Sequence, residues 1–152
     1  MTPNTRIAYT QEDGTVAIVT PAPEFIAQGG TVEQLARKSI PLGTHFEEMD
    51  VADVPKDRYF RNAWRLGAPL SKSIEIDRPK AEAIHMNKLR EIRDEKLKAE
   101  DIEYQKAIEF RDDAKMNAIA NRKKKLRDMP LDVDFSGMSL DELKAYIPEI
   151  LR

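Results

Sequence analysis

Cysteine is absent from this chain of 152 residues, and several other residue types are scarce. Without cysteine there is no structural disulfide, no thiol catalysis and no thiolate metal site. The two histidines, His45 and His85, stand in different segments with no metal-ligand motif around them. No Gly-rich phosphate loop, Ser/His/Asp set or pair of catalytically spaced carboxylates occurs. The sequence therefore predicts that the protein is not an enzyme and uses no cofactor and no metal.

Long hydrophobic runs are also missing. None approaches the ~20 apolar residues that a membrane-spanning helix needs, and the N-terminus has no signal-peptide pattern. Hydrophobic residues make up 41% of the chain and charged residues 34%. This composition predicts a soluble protein with no membrane partner and only a modest core, which is more typical of a subunit than of a free-standing enzyme.

Charge is unevenly spread along the chain. Residues 78–127 contain 15 Lys and Arg against 10 Asp and Glu, whereas the remainder contains 10 against 17. A polarised molecule of this kind can pack against copies of itself or against an oppositely charged neighbour. Long solvated helices have a similar composition, so the pattern alone does not decide between these interpretations.

The first half of the chain has the pattern of a small β-rich domain. Two β-favouring runs flank Asp13-Gly14, a pair that suits a hairpin turn with positive φ. Thr31 and Gln34 fit a capping box, in which each side chain binds the backbone N–H of the other. The expected elements are strands at 6–10, 15–19, 45–49 and 74–76 and a helix at 32–39.

The second half is predicted to be a helical hairpin. Asp77 is expected to cap a first helix over residues 78–98, the chain to reverse at Glu100-Asp101, and a second helix to continue to residue 127. Ser139 and Glu142 form another capping box before a short C-terminal helix. Two thin apolar stripes are expected to pair the long helices: Ala81, Ile84, Leu89, Ile92 and Leu97 on the first, and Ile102, Ile108, Met116, Ile119 and Leu126 on the second.

The predicted fold class is therefore α+β. A small N-terminal β-rich domain is followed by a long antiparallel helical hairpin and a short C-terminal helix. We assign residues 1–76 to the β-rich anchoring domain, residues 77–128 to the hairpin, and residues 129–152 to a clasp on the hairpin.

An aromatic cluster precedes the helical half. Phe60 and Trp64 share a face whether the segment is helical or extended. Because Trp and Arg are frequent at binding hot spots, Phe60, Arg61 and Trp64 are candidate interface residues. The alternative interpretation is that the two aromatic rings form the core of the small domain.

One basic run, Arg122-Lys123-Lys124-Lys125, is the other candidate interface. Such a run can contact phosphates, but it lies near the end of a predicted helix, where cations also complement the helix dipole. No aromatic residue is interleaved with it, as a stacking platform for single-stranded nucleic acid would require. Nucleic acid is therefore not the favoured partner. Reversal of all four charges is expected to weaken docking to a protein partner and to leave the fold intact.

Two runs of the sequence, one of which contains the aromatic cluster, resemble a family of small proteins encoded among the tail or tail-fibre genes of tailed bacteriophages and prophages. The first run is Asp57-Arg58-Tyr59-Phe60-Arg61-Asn62-Ala63-Trp64, and the second is Ile76-Asp77-Arg78-Pro79-Lys80-Ala81-Glu82-Ala83-Ile84-His85. The resemblance extends from about Val54 to the C-terminus, through Arg90 and Arg93, the segment 101–109 and Leu126-Arg127-Asp128. The Arg-Asn-Ala-Trp run is its most specific part.

This resemblance implies a role in the virion or in its assembly, and it assigns no catalytic residue. The function it favours is a structural subunit at the tail or tail-fibre attachment region. Its partners would be other phage tail or fibre proteins, in a homo-oligomer or a hetero-assembly, located in the virion tail or in the host cytoplasm during assembly. Two alternatives stay open: an assembly chaperone that leaves before the particle is complete, and a nucleic-acid-associated regulator that uses the basic run.

Overall fold

A computed structural model describes all 152 residues, which form two compact units, Met1–Ala81 and Glu82–Arg152. The predicted α+β fold class is confirmed: short strands form small sheets in the N-terminal part, and helices follow. Residues 129–152, predicted as a clasp on the hairpin, belong to the same compact unit as residues 82–128.

A three-stranded antiparallel sheet organises the first unit. Strands β1 (Thr5–Thr10) and β2 (Val16–Val19) form the predicted hairpin, and β3 (Phe46–Asp50) pairs with the other edge of β1. Gly14 has a φ of 80°, a value that glycine adopts without the steric cost a side chain would add. The backbone N–H of Thr15 donates to Asp13 Oδ1 over 2.9 Å and fixes the turn.

Two short helices connect β2 to β3. Helix α1 (Pro23–Ala27), which was not among the elements expected from the sequence, begins with proline in its first turn. Helix α2 (Val32–Ser39) begins with the predicted capping box: Gln34 N donates to Thr31 Oγ1 over 3.3 Å, and Thr31 N donates to Gln34 Oε1 over 3.1 Å.

The central strand β1 is buried on both faces. Ile7 packs in a cluster with Leu35 on α2 and with Ile40, the residue that follows this helix. Ala8, which points the other way, belongs to a second cluster with Met49 and Trp64. This second cluster also contacts a two-stranded antiparallel sheet of β4 (Trp64–Leu66) and β5 (Ile74–Ile76).

Two long helices, α3 (Arg78–Glu109) and α4 (Asp113–Asp132), pack as the predicted helical hairpin. The backbone N–H of Lys80 donates to Asp77 Oδ1 over 3.1 Å, so Asp77 caps α3 as expected. Helix α5 (Leu140–Ala145) begins with the predicted capping box of Ser139 and Glu142, and a 3₁₀ turn, Glu149–Leu151, packs against α4.

The predicted position of the reversal was wrong. Helix α3 passes through Glu100-Asp101 without a break and ends at Glu109. The carboxylates of Glu100 and Asp101 do not cap a new helix, because they form ion pairs with Arg122 and Lys123 on α4. The chain reverses at Phe110–Asp112, where Arg111 has a φ of 54°. Asp112 then caps α4 by accepting from Lys115 N over 2.9 Å.

This shift changes which apolar residues lie in the hairpin seam. Ile102 and Ile108, predicted to be on the second helix of the pair, are on α3 and are 59% and 50% exposed. Ile119 and Leu126 are buried as predicted. Helix α4 also continues past Pro130 to Asp132, since a proline in the last turn removes only one backbone hydrogen bond from the helix.

Candidate functional site

The aromatic cluster lies inside the first unit. The Trp64 side chain is fully buried, and Phe60 is 6% exposed with its ring edge-on to Tyr59, 4.7 Å between centroids. The Arg58 guanidinium carbon lies 5.5 Å from the centre of the Trp64 ring. Of the three interface candidates in this segment, only Arg61 is exposed at the surface. Phe60 and Trp64 therefore act as core residues in this chain.

The two runs that carry the phage-protein resemblance meet in space. Trp64 pairs with Ile76 across the β4–β5 ladder, and Asp77 N donates to Ala63 O over 2.7 Å. Because Asp77 also caps α3, the first run fixes the residue at which the long helix begins. Residues of both runs thus contribute to the start of α3.

Half of the basic run is used inside the hairpin. Arg122 donates from Nε and Nη2 to the two carboxylate oxygens of Glu100 over 2.9 and 3.0 Å, a bidentate ion pair. Lys123 forms an ion pair with Asp101 and lies 5.3 Å from the centre of the Tyr104 ring. These contacts join α4 to α3.

Lys124 and Lys125, the other two residues of the run, are exposed. Reversal of all four charges would therefore disturb the hairpin as well as any docking surface, contrary to our sequence-based expectation that the fold would be unaffected. Lys124 and Lys125 are the appropriate pair with which to test docking alone.

A third ion pair joins the hairpin closer to the reversal. Lys115 Nζ lies 3.1 Å from Glu103 Oε2, while Lys106 donates to Glu103 Oε1 over 2.8 Å. The hydrogen bond from Lys106, with the one from Lys115, holds the pKa of Glu103 below its usual range. The middle of the hairpin thus combines exposed ion pairs, each of which contributes little to stability, with the fully buried side chain of Ile119.

A buried carboxylate in the first unit was missed by the sequence interpretation. Glu47 on β3 is 5% exposed, and its Oε1 accepts from Leu70 N over 2.9 Å and lies 2.8 Å from His45 Nε2. The hydrogen bond from Leu70, followed by the one from His45, keeps the pKa of Glu47 below its usual range. No sequence signal marks Glu47, since its neighbour Glu48 is equally acidic and yet exposed.

Glu47 anchors a strained loop between β4 and β5. Leu70 and Lys72 have φ values of 67° and 52°, a left-handed conformation that is costly for residues with a side chain. The Leu70 side chain is 84% exposed. The anchored loop therefore holds an apolar side chain out in solvent.

His85 connects helix α3 to the C-terminal segment. It is 3% exposed, its Nε2 lies 2.8 Å from Tyr146 O, and its ring is 5.7 Å from that of Phe135. Because a carbonyl can only accept, Nε2 carries the proton. Burial lowers the pKa of His85, with the nearby charge of Lys88 acting in the same direction and the hydrogen bond to Tyr146 opposing both.

Acidification is expected to destabilise the second unit through His85. The unfolded chain takes up a proton near the usual pKa of 6.5, whereas the folded chain takes it up only at a lower pH. The stabilisation is therefore complete above about pH 6.5 and is lost as the pH falls from there through the lowered folded pKa. Urea unfolding of the full chain at a series of pH values, followed by helical circular dichroism, measures this loss.

His85→Gln is the matched control, because glutamine keeps an N–H donor for Tyr146 O but does not titrate. The difference in unfolding free energy between the two proteins should change across this pH range. Any change in unfolding free energy with pH that arises elsewhere in the chain is common to the unchanged protein and the His85→Gln variant. A difference that stayed constant with pH would contradict the assignment of a neutral, buried His85.

A shallow pocket of about 360 Å³ lies beside α2, lined mainly by Ala36, Ile40, Leu42 and Phe46. Leu42 at its mouth is fully exposed, and Glu33 and Arg37 are the charged residues in the lining. No histidine lines it. The exposed area of its lining is mostly apolar.

No group of three or more His, Asp or Glu side chains in the structure is placed to hold a metal ion. None of the helices combines the length and the apolar composition needed to cross a membrane. The chain matches no protein-family model, and neither the curated proteins nor the solved structures contain one with significant similarity to it.

Proposed function

We propose that the protein is a structural component of a bacteriophage tail, at the tail or tail-fibre attachment region. The observation that carries this proposal is the resemblance of the runs at residues 57–64 and 76–85 to small tail-associated phage proteins. The contacts between these runs, Trp64 with Ile76 and Asp77 N with Ala63 O, support a structural role for the residues that carry the resemblance.

The surface of the chain supports assembly with other proteins. Leu42 and Leu70 in the first unit and Phe110 in the second are each more than 80% exposed. Single exposed apolar residues are common on protein surfaces, so these three are candidate contact points only in combination with the resemblance. The first unit would serve as the anchoring part and the hairpin as a charged arm that a neighbouring protein covers.

Quantitative mass spectrometry of purified virions tests the proposal. We expect this chain at a fixed integer ratio to the major tail protein, because a structural subunit occupies symmetry-related positions. Absence from particles of a phage that expresses the chain during infection would contradict the proposal.

The same measurement can test the basic run. Lys124→Glu with Lys125→Glu is expected to lower incorporation if this surface docks on the tail, since neither residue takes part in the ion pairs to Glu100 and Asp101. The matched control is Arg37→Glu with Lys56→Glu, two charge reversals at exposed positions of the first unit that lie outside both resemblance runs. Equal effects of the two pairs would show that net charge rather than position matters.

A dedicated assembly chaperone is the second candidate, and the exposed residues Ile102 and Ile108 on α3 favour it. A chaperone would leave an apolar helix face open for a client and would not remain in the particle. Expression in infected cells, absence from virions and recovery with one tail or fibre protein would select this candidate. A nucleic-acid-associated regulator is less favoured, since Arg122 and Lys123 are already paired with carboxylates.

A further inference from the structure

Helix α3 has a second stripe of residues that does not take part in the seam with α4. Three of its members are apolar and exposed: Ile92 at 37%, Ile102 at 59%, and Ala99 between them. Phe110, at 83% exposure, follows the end of the helix on the same side. We call this set the outer stripe, and it consists of Ile92, Glu95, Ala99, Ile102, Lys106 and Glu109.

The spacing of the outer stripe alternates between three and four residues. This spacing keeps side chains on one face of a helix and is the repeat by which two helices pack along their length. A groove on this face is lined by Ile102, Lys106 and Glu109, together with Asp101 and Gln105. The stripe therefore has the geometry of one half of a two-helix contact.

We propose that the outer stripe binds the outer stripe of a second copy of this chain in antiparallel orientation, with the twofold axis midway between Ala99 and Ile102. In this register the small Ala99 faces Ile102 of the second copy on both sides of the axis. Each Glu95 then faces Lys106 of the second copy. At the two ends, Ile92 meets Glu109 and the exposed Phe110 ring of the second copy.

Charge selects this arrangement over the others that the stripe allows. A parallel pairing places Glu95 against Glu95 and Lys106 against Lys106, and like charges at a contact are repulsive. An antiparallel pairing shifted by one heptad towards the N-terminus aligns two isoleucines but places Lys88 against Lys106. Of these arrangements, only the register centred between Ala99 and Ile102 places Glu95 against Lys106 of the second copy, once on each side of the twofold axis.

The ion pairs of the single chain do not prevent this contact. Lys98 binds Glu95 over 2.7 Å, and Lys106 binds Glu103 over 2.8 Å, all four side chains being 41–73% exposed. Exposed pairs of this kind contribute about 0 to 1 kcal/mol, so their exchange for contacts between copies costs little. The stripe is about 26 Å long at 1.5 Å per residue. Such a contact falls at the small end of protein interfaces, so we expect a weak, concentration-dependent dimer.

Sedimentation equilibrium of the full chain, at concentrations up to about 1 mM, tests the proposal, because even a millimolar Kd gives a measurable dimer there. The variants are Glu95→Lys, Lys106→Glu and the double variant with both changes. Each single change places like charges against each other twice per dimer, and we expect the Kd to rise at least tenfold. The double variant restores opposite charges and should return the Kd to within a few-fold of the unchanged protein.

The double variant separates this contact from effects within one chain. Glu95 and Lys106 lie about 16 Å apart along the same helix, too far for one to compensate the other there. Within a chain, the Glu95→Lys change puts a second positive charge beside Lys98, and the Lys106→Glu change puts a second negative charge beside Glu103, so the two penalties would add. Helical circular dichroism confirms that each variant is folded. A protein that stays monomeric at every concentration, or a double variant that is weaker than both single variants, would overturn the proposal.

Discussion

Replacement of Trp64 by alanine is expected to destabilise the first unit by about 3–5 kcal/mol, the usual cost of removing a large aromatic ring from a core. The side chain is fully buried and packs with Ala8, Val16 and Met49 beneath the three-stranded sheet. Since small domains are stable by only about 5–15 kcal/mol, this loss removes much of the margin. Urea unfolding followed by far-ultraviolet circular dichroism measures it.

Trp64→Phe is the informative control. The Trp64 Nε1–H group is buried and has no hydrogen-bond partner among the protein groups, and an unpaired buried donor costs about 1–3 kcal/mol. Phenylalanine removes this unpaired donor but leaves a small cavity, so the two effects oppose each other. We expect Trp64→Phe to cost much less than Trp64→Ala. An equal loss of unfolding free energy in Trp64→Phe and Trp64→Ala would contradict the interpretation that the indole N–H is unpaired.

Replacement of Ile119 by alanine is expected to destabilise the second unit by about 2–5 kcal/mol, because a fully buried aliphatic side chain leaves a cavity when it is shortened. Ile119 lies on α4, in the seam with α3. The loss is measured by urea unfolding followed by the helical circular dichroism signal, which comes mostly from these two helices.

Ile102→Ala is the matched control, since the same residue type is changed on the other long helix. Ile102 is 59% exposed, so its replacement should change the unfolding free energy by no more than about 0.5 kcal/mol. The comparison belongs at a concentration low enough to keep the chain monomeric. Similar losses for both variants would support the seam predicted from the sequence and contradict a reversal at Phe110–Asp112.

Local sequence signals predicted the fold class and the helical hairpin correctly. The Asp13-Gly14 turn, both capping boxes and the Asp77 cap are each specified by a few adjacent residues, and each forms as expected. Such features depend on hydrogen bonds between near neighbours, so they can be recognised without knowledge of tertiary contacts.

The reversal of the hairpin was placed at the wrong acidic pair, although Asp112 and Asp113 are also residues that favour helix caps over helix interiors. A glycine usually follows the end of a helix, but here Arg111 adopts the left-handed conformation. Glu100 and Asp101 resemble a helix start until their partners on α4, Arg122 and Lys123, are known. Ion pairs between residues more than 20 positions apart leave no local signature.

The candidate surfaces were predicted only in part, for the same reason. The sequence identified Phe60 and Trp64 as one cluster but could not decide between core and interface, which depends on what covers them. Burial of both in the first unit answers that question for the isolated chain. The exposure of Leu70 and its anchoring by Glu47 depend on a contact across 23 positions and could not be predicted.

The uneven composition of the hairpin seam has a consequence for local motion. Near the reversal the two helices are joined by ion pairs such as Glu103 with Lys115 and bury the small Ala107, whereas at the opposite end the larger Leu126, Met129 and Leu143 are buried. Amide hydrogens near Ile108 should therefore exchange through frequent local opening, while those around Met129 should exchange only on larger unfolding. Added salt would increase this difference in exchange rate between the two ends of the hairpin, because it screens the ion pairs and leaves apolar burial intact. A partner that bound the tip would hold it closed and raise its local stability without altering the fold.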